Sequence, residues 1–568
     1  MSSARILFPI VCMLVYPLTG AYGRSRPHSA PEREPHELPA RNPKVTPLER
    51  TTSLAANPRF NGYQSVQVNV DAAGKNIVGD AANEPTLAID PTDPARLVIG
   101  WRQFDSTASD FREAGWAYSH DGGQSWTFPG VLEEGWFRSD PVLAADLDGT
   151  FFYYSLTNDP YYSCQMFISD DGGVGWTGPI SAYGGDKQWM DIDLTGGIGS
   201  GNIYAAWDYA GCCGDNWFTR SVDHGVSYMS PIEIPQYPNW GTVAVGPDGA
   251  LYIVGRSDFD MSTFVLAKST NAQNPAAIPT FPVTSTVPLG GTLLYYLDPA
   301  GPNPQGLLGQ VWVAVDHSGG PYHNYIYVLC SVDPPGADPL DVMFTRSTNG
   351  GTAWSTPVRV NDDAPGNNAW QWFGTLSAAP NGRIDAVWND TRNNPGGFNS
   401  QLFYSYSENA GATWAPNIAV TPAWNPLLGW PGTPPQKKIG DYYDMTSDDA
   451  AVNVAYAATF NGEEDVYFMR LGDCNNNGVH DGTDIASGTS TDLNGNHVPD
   501  ECEGLGDMNC DGALNGYDID PFVLALTDPP GYEQAFPNCT ISRGDINGDG
   551  SINGYDIDPF VTLLTHVH

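Results

Sequence analysis

The chain has 568 residues, with 65 Asp and Glu against 25 Lys and Arg, a formal net charge of −40. An acid excess of that size repels polyphosphates and anionic lipid surfaces, which argues against nucleic acid as a partner. Aromatic residues at 12% beside only 16% charged residues, with 63 Gly and 47 Pro, describe a turn-rich folded protein of many short strands rather than a disordered acidic one.

Residues 1–23 read as a secretory signal: Arg5 supplies the positive end, Ile6 to Leu18 the apolar run, and Ala21 and Gly23 the small residues of a cleavage site. The run is too short to span a bilayer and Pro9 and Pro17 interrupt it. No later segment has the length and apolarity of a transmembrane span. The mature chain is therefore expected to be secreted, extracellular or associated with the cell surface. Of nine Cys, Cys12 leaves with the signal, and the remainder meet an oxidising compartment where pairing is expected. Residues 24–59 form a Pro-rich linker, with Pro at 27, 31, 35, 39, 43 and 47.

An internal repeat governs residues 60–471. Five octapeptides share Ser-x-Asp/Asn-x-Gly-x-x-Trp/Tyr: SHDGGQSW from Ser119, SDDGGVGW from Ser169, SVDHGVSY from Ser221, STNGGTAW from Ser347 and SENAGATW from Ser407. Alternating strands such as GWAYS precede them and Pro-containing strands such as TFPGV follow, so each is the turn of a β-hairpin. The acid or amide folds back onto turn amides, the Gly takes a left-handed conformation and the final aromatic packs beneath.

These octapeptides resemble the Asp-box, or bacterial neuraminidase repeat, family. The resemblance implies an all-β fold in which the boxes lie on the outer turn between third and fourth strands of propeller blades and carry no catalytic role. Seven first strands follow, near Glu84, Asp140, Gln188, Gly241, Gln310, Trp372 and Asp441. The last unit lacks a fourth strand, and YQSVQVNV from Tyr63 is the segment available to close the ring, leaving no open sheet edge. Sialidases that share the box have six blades, so a count of seven departs from them.

The functional face of such a propeller carries the interblade loops and the second-to-third-strand loops, opposite the boxes. Those loops hold Trp136, Trp189, Trp240, Trp370, Trp372, Trp424 and Trp430, with Asp140, Asp186, Asp191, Asp441 and Asp444. Rings beside carboxylates suit a neutral glycan, whose apolar faces stack while its hydroxyls bond to acids. Asp140, Asp186, Asp191 and Asp441 are the candidate acid and base of a glycosidase pair. Sialidases use a Tyr paired with a Glu as nucleophile, and by that resemblance Tyr443 in GDYYD, beside Tyr442, is a candidate; Arg102 and Arg392, with Trp189 and Trp372, are the candidate ligand contacts. The family's Phe/Tyr-Arg-Ile-Pro segment is absent. The other reading makes the carboxylates turn and strand-start residues and the tryptophans interblade packing. Cys164, Cys212, Cys213 and Cys330 map to the same face and are expected to staple loops together.

From Asp473 to the C-terminus the chain carries 14 Asp and 3 Glu against the single Arg543. Two twelve-residue loops, DMNCDGALNGYD from Asp507 and DINGDGSINGYD from Asp545, place oxygen side chains at the EF-hand ligand positions with Gly at the sixth. The calcium ligands expected are Asp507, Asn509, Asp511, Asn515 and Asp518 in the first, and Asp545, Asn547, Asp549, Asn553 and Asp556 in the second. Each loop leads into an apolar helix. This loop-helix duplication, with NGYDIDPFV repeated from Asn515 and Asn553, resembles a type I dockerin domain over residues 505–568. The resemblance implies a cohesin partner, with contacts at Gly516, Tyr517, Phe522, Gly554, Tyr555 and Phe560. Residues 472–504 hold two looser calcium loops without following helices, similar to thrombospondin type 3 repeats. Their candidate ligands are Asp473, Asn475, Asn477, Asp481 and Asp484, then Asp492, Asn494, Asn496 and Asp500. Cys474 with Cys502 and Cys510 with Cys539 are candidate clasps.

The sequence thus describes a secreted seven-bladed β-propeller with N-terminal strand closure and a small calcium-loop and helix module. Its expected role is to act on or bind extracellular polysaccharide or glycoconjugate, by hydrolysis of O-glycosyl bonds if it is an enzyme. The alternative is a non-catalytic glycan-binding or adhesive propeller. The discriminating feature is whether two carboxylates converge in one open cleft.

Overall fold

The computed structural model describes residues 51–566 except 159–161, 259, 261, 298, 511–513 and 538. The candidate signal segment, most of the Pro-rich stretch and the candidate ligand Asp511 lie outside the described residues.

Seven antiparallel sheets follow one another along the chain. Their first strands are Ala81–Ile89, Ser139–Ala145, Trp189–Ile192, Val243–Val245, Trp312–Val315, Gln371–Ala378 and Asp444–Ser447. Each first strand packs beside the next, and the last beside the first, so the sheets close a ring. The seventh blade takes its fourth strand from the N-terminal side, where Val66–Gln67 pairs with Asp465–Leu471. Val68 N donates to Val466 O at 2.8 Å, and Asn69 Nδ2 to Asp465 Oδ1 at 2.7 Å, so the join extends beyond the two paired residues. Order begins earlier than the linker boundary drawn from sequence: Thr52–Leu54 pairs with Lys75–Ile77.

The octapeptides occupy third-to-fourth-strand turns. In the first, Ser119 Oγ donates to Asp121 Oδ1 and accepts from Gly123 N, while Asp121 accepts from Ser125 N at 2.9 Å. Gly123 is fixed twice over, by φ +86° and by the Phe468 ring of the neighbouring blade, 2.1 Å from where a Cβ would stand. The fourth blade, which lacks the pattern, keeps its polar core: Ser269 Oγ donates to Asn271 Oδ1 and accepts from Ala272 N.

A second repeat lies at the start of the first strands, invisible as a motif because its residue types differ. Glu84, Asp140, Lys187, Trp240, Phe373 and Gly440 all have φ between +45° and +92°. In three blades this is also where the register with the second strand shifts. Further along, first strands are bridged by side chains rather than by a ladder. Asp191 Oδ2 accepts from Val245 N, Thr242 Oγ1 from Val313 N, Ser377 Oγ from Ser447 N and Asp444 Oδ2 from Leu87 N, each from the following blade.

Residues 473–505 dock on this body. Helix Asp481–Ser487 starts within the first loop and runs past its end, where the sequence reading expected no helix, and the single turn Asp500–Glu503 lies within the second loop. The final module packs helices Ile519–Thr527, Pro529–Ala535 and Ile557–His566 around Phe522, Tyr532, Phe560 and Leu563. Among the described residues no helix is long and apolar enough to cross a membrane.

Candidate functional site

The left-handed residues at the strand starts bring charge together at one end of the ring. Lys187 Nζ stands 2.6 Å from Asp441 Oδ2 and 3.5 Å from both Asp140 Oδ2 and Asp186 Oδ1. Lys438 Nζ reaches Asp441 at 2.8 Å and Glu84 at 3.7 Å, and Arg102 Nε reaches Glu84 at 3.2 Å. Burial alone would raise the carboxyls of Asp140 and Asp441, but Lys187, with Arg102 and Lys438, holds both below the ordinary range. Burial dominates at Glu84 and pushes it up to about 8.

Carboxylates do converge, then, but not in a cleft. Asp140 and Asp441 are 2% and 1% exposed. The long segment before the fifth blade crosses to the sixth and seventh: Leu307 N donates to Asp441 Oδ1, Phe373 N to Leu308 O and Ile439 N to Asn303 Oδ1. An ammonium held between two carboxylates in a dry pocket fixes three chain segments and leaves no acid or base free to reach a substrate. Asp186 alone of this group keeps a partly exposed carboxylate.

The other residues singled out from sequence are placed as follows. Tyr443 is buried, its hydroxyl donating to Ala457 O and accepting from Asn389 Nδ2, so it is no nucleophile facing solvent. Trp372 is fully buried and donates to Ser400 Oγ. Trp189 stands edge-on to Trp312 and Tyr442 at 5.0 and 5.4 Å, inside the ring rather than in an interblade loop. Arg392 is held by Asp390 and Asp362 and lies over the Phe403 ring. Asp191 accepts from Ile192 N and Val245 N, and burial raises it to about 7. Arg102 is taken up by Glu84 and Asn83.

The expected loop staples do not form. Cys212 and Cys213 pair with each other, and Cys164 and Cys330 are buried thiols. Cys474–Cys502 and Cys510–Cys539 are bonded.

What remains accessible on this face is an aromatic patch between the third and fourth blades, of which the sequence reading placed Trp240 on this face but singled out none of the tyrosines. Tyr209, Tyr295 and Tyr296 are 42%, 44% and 54% exposed. Trp240 links them: it donates to Asp208 Oδ2, meets the Tyr295 ring at 4.8 Å and carries the Arg256 guanidinium 4.3 Å above its own. The Cys212–Cys213 pair lies half-buried on the loop that presents Tyr209. Tyr237, Trp240 and Tyr296 all sit at positive φ, which bulky residues adopt only where the surroundings over-determine them.

A separate cavity of about 1470 Å³ runs down the ring between the first strands. It extends from Trp189 and Trp312 to the turns at Asp90, Leu194 and His317, which puts its mouth on the octapeptide side. Asp191 and Asp444 line it, and the charge cluster does not.

In the C-terminal loops of EF-hand pattern the ligand-type oxygens accept from the loops' own amides. Asp545 accepts from Asp549 N and Gly550 N, Asn547 Oδ1 from Asp549 N and Asp549 Oδ1 from Ser551 N. Asp492, Asn494 and Asn496 repeat that pattern. Twelfth-position Asp518 and Asp556 accept from loop amides at Asn509 and Asn547, and Asn515 and Asn553 cap the turns that follow. Asp507 pairs with Arg543 at 2.8 Å. In the loop from Asp473, Asp473 and Asp484 are both buried, and Asp473 Oδ1 has no hydrogen-bond partner. A hard divalent cation with oxygen ligands fits that donor set. The one mixed cluster of metal-ligating types among the described residues, Cys474, Asp481 and Cys502, has both sulfurs consumed in a disulfide.

The implied cohesin contacts divide. Tyr517 and Tyr555 are 81% and 80% exposed, and Gly516 and Gly554 face open space. Phe522 and Phe560 are instead stacked on each other at 4.1 Å in the core of the module, where no partner reaches them.

No family model and no curated protein matches the chain. Among solved structures it is similar to a protein of unknown function from Dyadobacter fermentans, at 12% identity over 73% of this chain and 98% of that one, with a TM-score of 0.41. It is also similar to a lectin from Burkholderia pseudomallei, at 15% identity over 68% and 96% with a TM-score of 0.43. The Trypanosoma rangeli sialidase matches at 10% identity over 74% and 60%, with a TM-score of 0.36. At these values the likeness extends no further than the arrangement of strands.

Proposed function

We propose that the protein is a secreted, non-hydrolytic glycan-binding propeller, anchored through its C-terminal module. The observation that carries this reading is the contrast on one face: Asp140 and Asp441 are locked around Lys187, while Tyr209, Tyr295 and Tyr296 stand open beside Trp240 and Arg256. Rigid rings take up the apolar faces of a sugar, and the exposed Tyr295 and Tyr296 bring hydroxyls that can bond to its own. The calcium loops rigidify an otherwise self-repelling tail. The twin exposed tyrosines Tyr517 and Tyr555 offer the attachment surface to a cohesin-type partner.

Glycan-array binding by wild type, Tyr209→Ala and Tyr295→Ala tests this. Both rings are exposed, so the variants should fold while affinity for the best hits falls about tenfold or more. Bound glycans recovered intact support the non-hydrolytic reading. Released sugar in the wild-type incubation overturns it.

A further inference from the structure

The propeller is closed by a short join, and the residues that lead into that join are held by the calcium-type loop that follows the seventh blade. Tyr63, just ahead of Val66–Gln67, is 3% exposed and donates its hydroxyl to Asp481 Oδ2 at 2.8 Å. Asp481 is the ninth position of the loop that begins at Asp473, and its other oxygen accepts from Cys474 N at 3.0 Å. Next to Tyr63, Gly62 packs so tightly on Cys502 that a Cβ would stand 2.9 Å from that residue's own Cβ. Both ends of the ring are thereby fastened to residues 473–502 as well as to each other.

The same loop is short of a cation. Asp473 and Asp484, its first and twelfth positions, are 4% and 2% exposed. Asp473 Oδ1 is buried without a hydrogen-bond partner, and the nearest guanidinium, that of Arg470, is 3.7 Å from the other oxygen. Asn475 and Asn477 aim their Oδ1 atoms at loop amides, and Asn477 also meets Asp484 at 2.7 Å. Buried carboxylates without compensating charge repel one another and open the loop.

We propose that a Ca²⁺ ion bound by Asp473, Asn475, Asn477 and Asp484 acts as the clasp of the ring. It sets the loop that presents Asp481 to Tyr63, and so sets how firmly the closing strand is held. The proposal rests on the calcium reading of this loop and adds the coupling to the propeller.

Hydrogen exchange on the full chain reads the coupling directly, at the amides of residues 63–70, with Ca²⁺ alone, with Mg²⁺ alone and with excess EGTA. In wild type, chelation should speed exchange of this segment about tenfold or more while central strands such as Ile384–Asp390 stay protected. Asp473→Asn should exchange fast with or without Ca²⁺, whereas Asp545→Asn, in the far module, should respond as wild type does. Tyr63→Phe should still bind the ion at the loop yet lose most of the response. Counting bound Ca²⁺ by isothermal titration separates two failures. If Asp473→Asn binds as many ions as wild type, the loop is not a calcium site and the clasp falls with it. If it binds one fewer but the closing strand exchanges equally with Ca²⁺ and EGTA in wild type, the site stands and the coupling is overturned.

Discussion

Replacing Asp441 by Asn asks whether the charge cluster holds the ring together or serves chemistry. The substitution keeps the side-chain shape and an acceptor for Leu307 N, but removes the charge that lies 2.6 Å from Lys187 Nζ and 2.8 Å from Lys438 Nζ. Of the acids named above, the two ammonium groups, both almost fully buried, keep Asp140, Asp186 and Glu84, none closer than 3.5 Å. Breaking a buried pair by removing one partner costs about 3–5 kcal/mol, because the other charge stays dry. For a body of roughly 400 residues, with an unfolding entropy of about 2 cal/mol/K per residue, that loss lowers Tm by about 4–6 °C. Differential scanning fluorimetry at pH 7 measures it, and the double variant Asp441→Asn with Lys187→Met should recover part of the loss. An unchanged or higher Tm for Asp441→Asn would show that the carboxylate is not needed for the fold. It would reopen the acid-base reading.

Three further outcomes follow from the geometry. Gly123→Ala should cost about 2–4 kcal/mol, adding a clash with Phe468 to left-handed strain, whereas Gly122→Ala, at φ +74° with open space around it, should cost only about 1 kcal/mol; urea denaturation of the pair checks this. Phe522→Ala should unfold the C-terminal module, losing about 3–5 kcal/mol, while Tyr517→Ala should leave its melting unchanged in Ca²⁺ and weaken binding to a cohesin-type partner. Burial raises Asp191 and Asp444 to about 7, so the stability they contribute is full below about pH 4 and is lost as pH rises through 7, at up to about 1.4 kcal/mol per pH unit for each group. Tm should therefore fall from pH 5 to pH 8, and Asp191→Asn should flatten that slope.

The blade count, the position of the octapeptide turns and the closing strand were legible because each rests on local chemistry repeated along the chain. Ser119, Asp121 and Gly123 must occur at those spacings to make that turn, so the pattern survives in the letters. The fourth blade shows the limit: Ser269 and Asn271 keep the hydrogen bonds, but without the Gly and the final Trp the unit reads as a blade that lost its turn. The strand starts went unseen because Glu84, Asp140, Lys187 and Trp240 share a backbone angle and no side-chain chemistry. Asp140, Asp186 and Asp441 meet around Lys187 while Asp191 lines the axial cavity instead, and the residues that neutralise the three, Lys187 and Lys438, come from different interblade segments. No spacing rule links those to Asp140.

That neutralisation also bears on how a glycan could be held without being cut. A hydrolase must keep one carboxyl protonated and a second ionised within reach of the same bond. Here Glu84, raised to about 8, shares a cluster with the ionised Asp140 and Asp441, but all three are closed off from solvent, and the raised Asp191 and Asp444 lie elsewhere. Asp191 and Asp444, raised by burial, line the axial cavity and are occupied by amides of the following blades, while Asp140 and Asp441, held ionised by Lys187, lie outside it. Opening a raised acid and an ionised partner to the same substrate would mean removing either the lysine that pins the strand starts or the bridges that join the first strands. Both help keep seven separate sheets in a ring, so in this chain the hub of the propeller is committed to closure, and the exposed rings of Tyr209, Tyr295 and Tyr296 do not line its cavity.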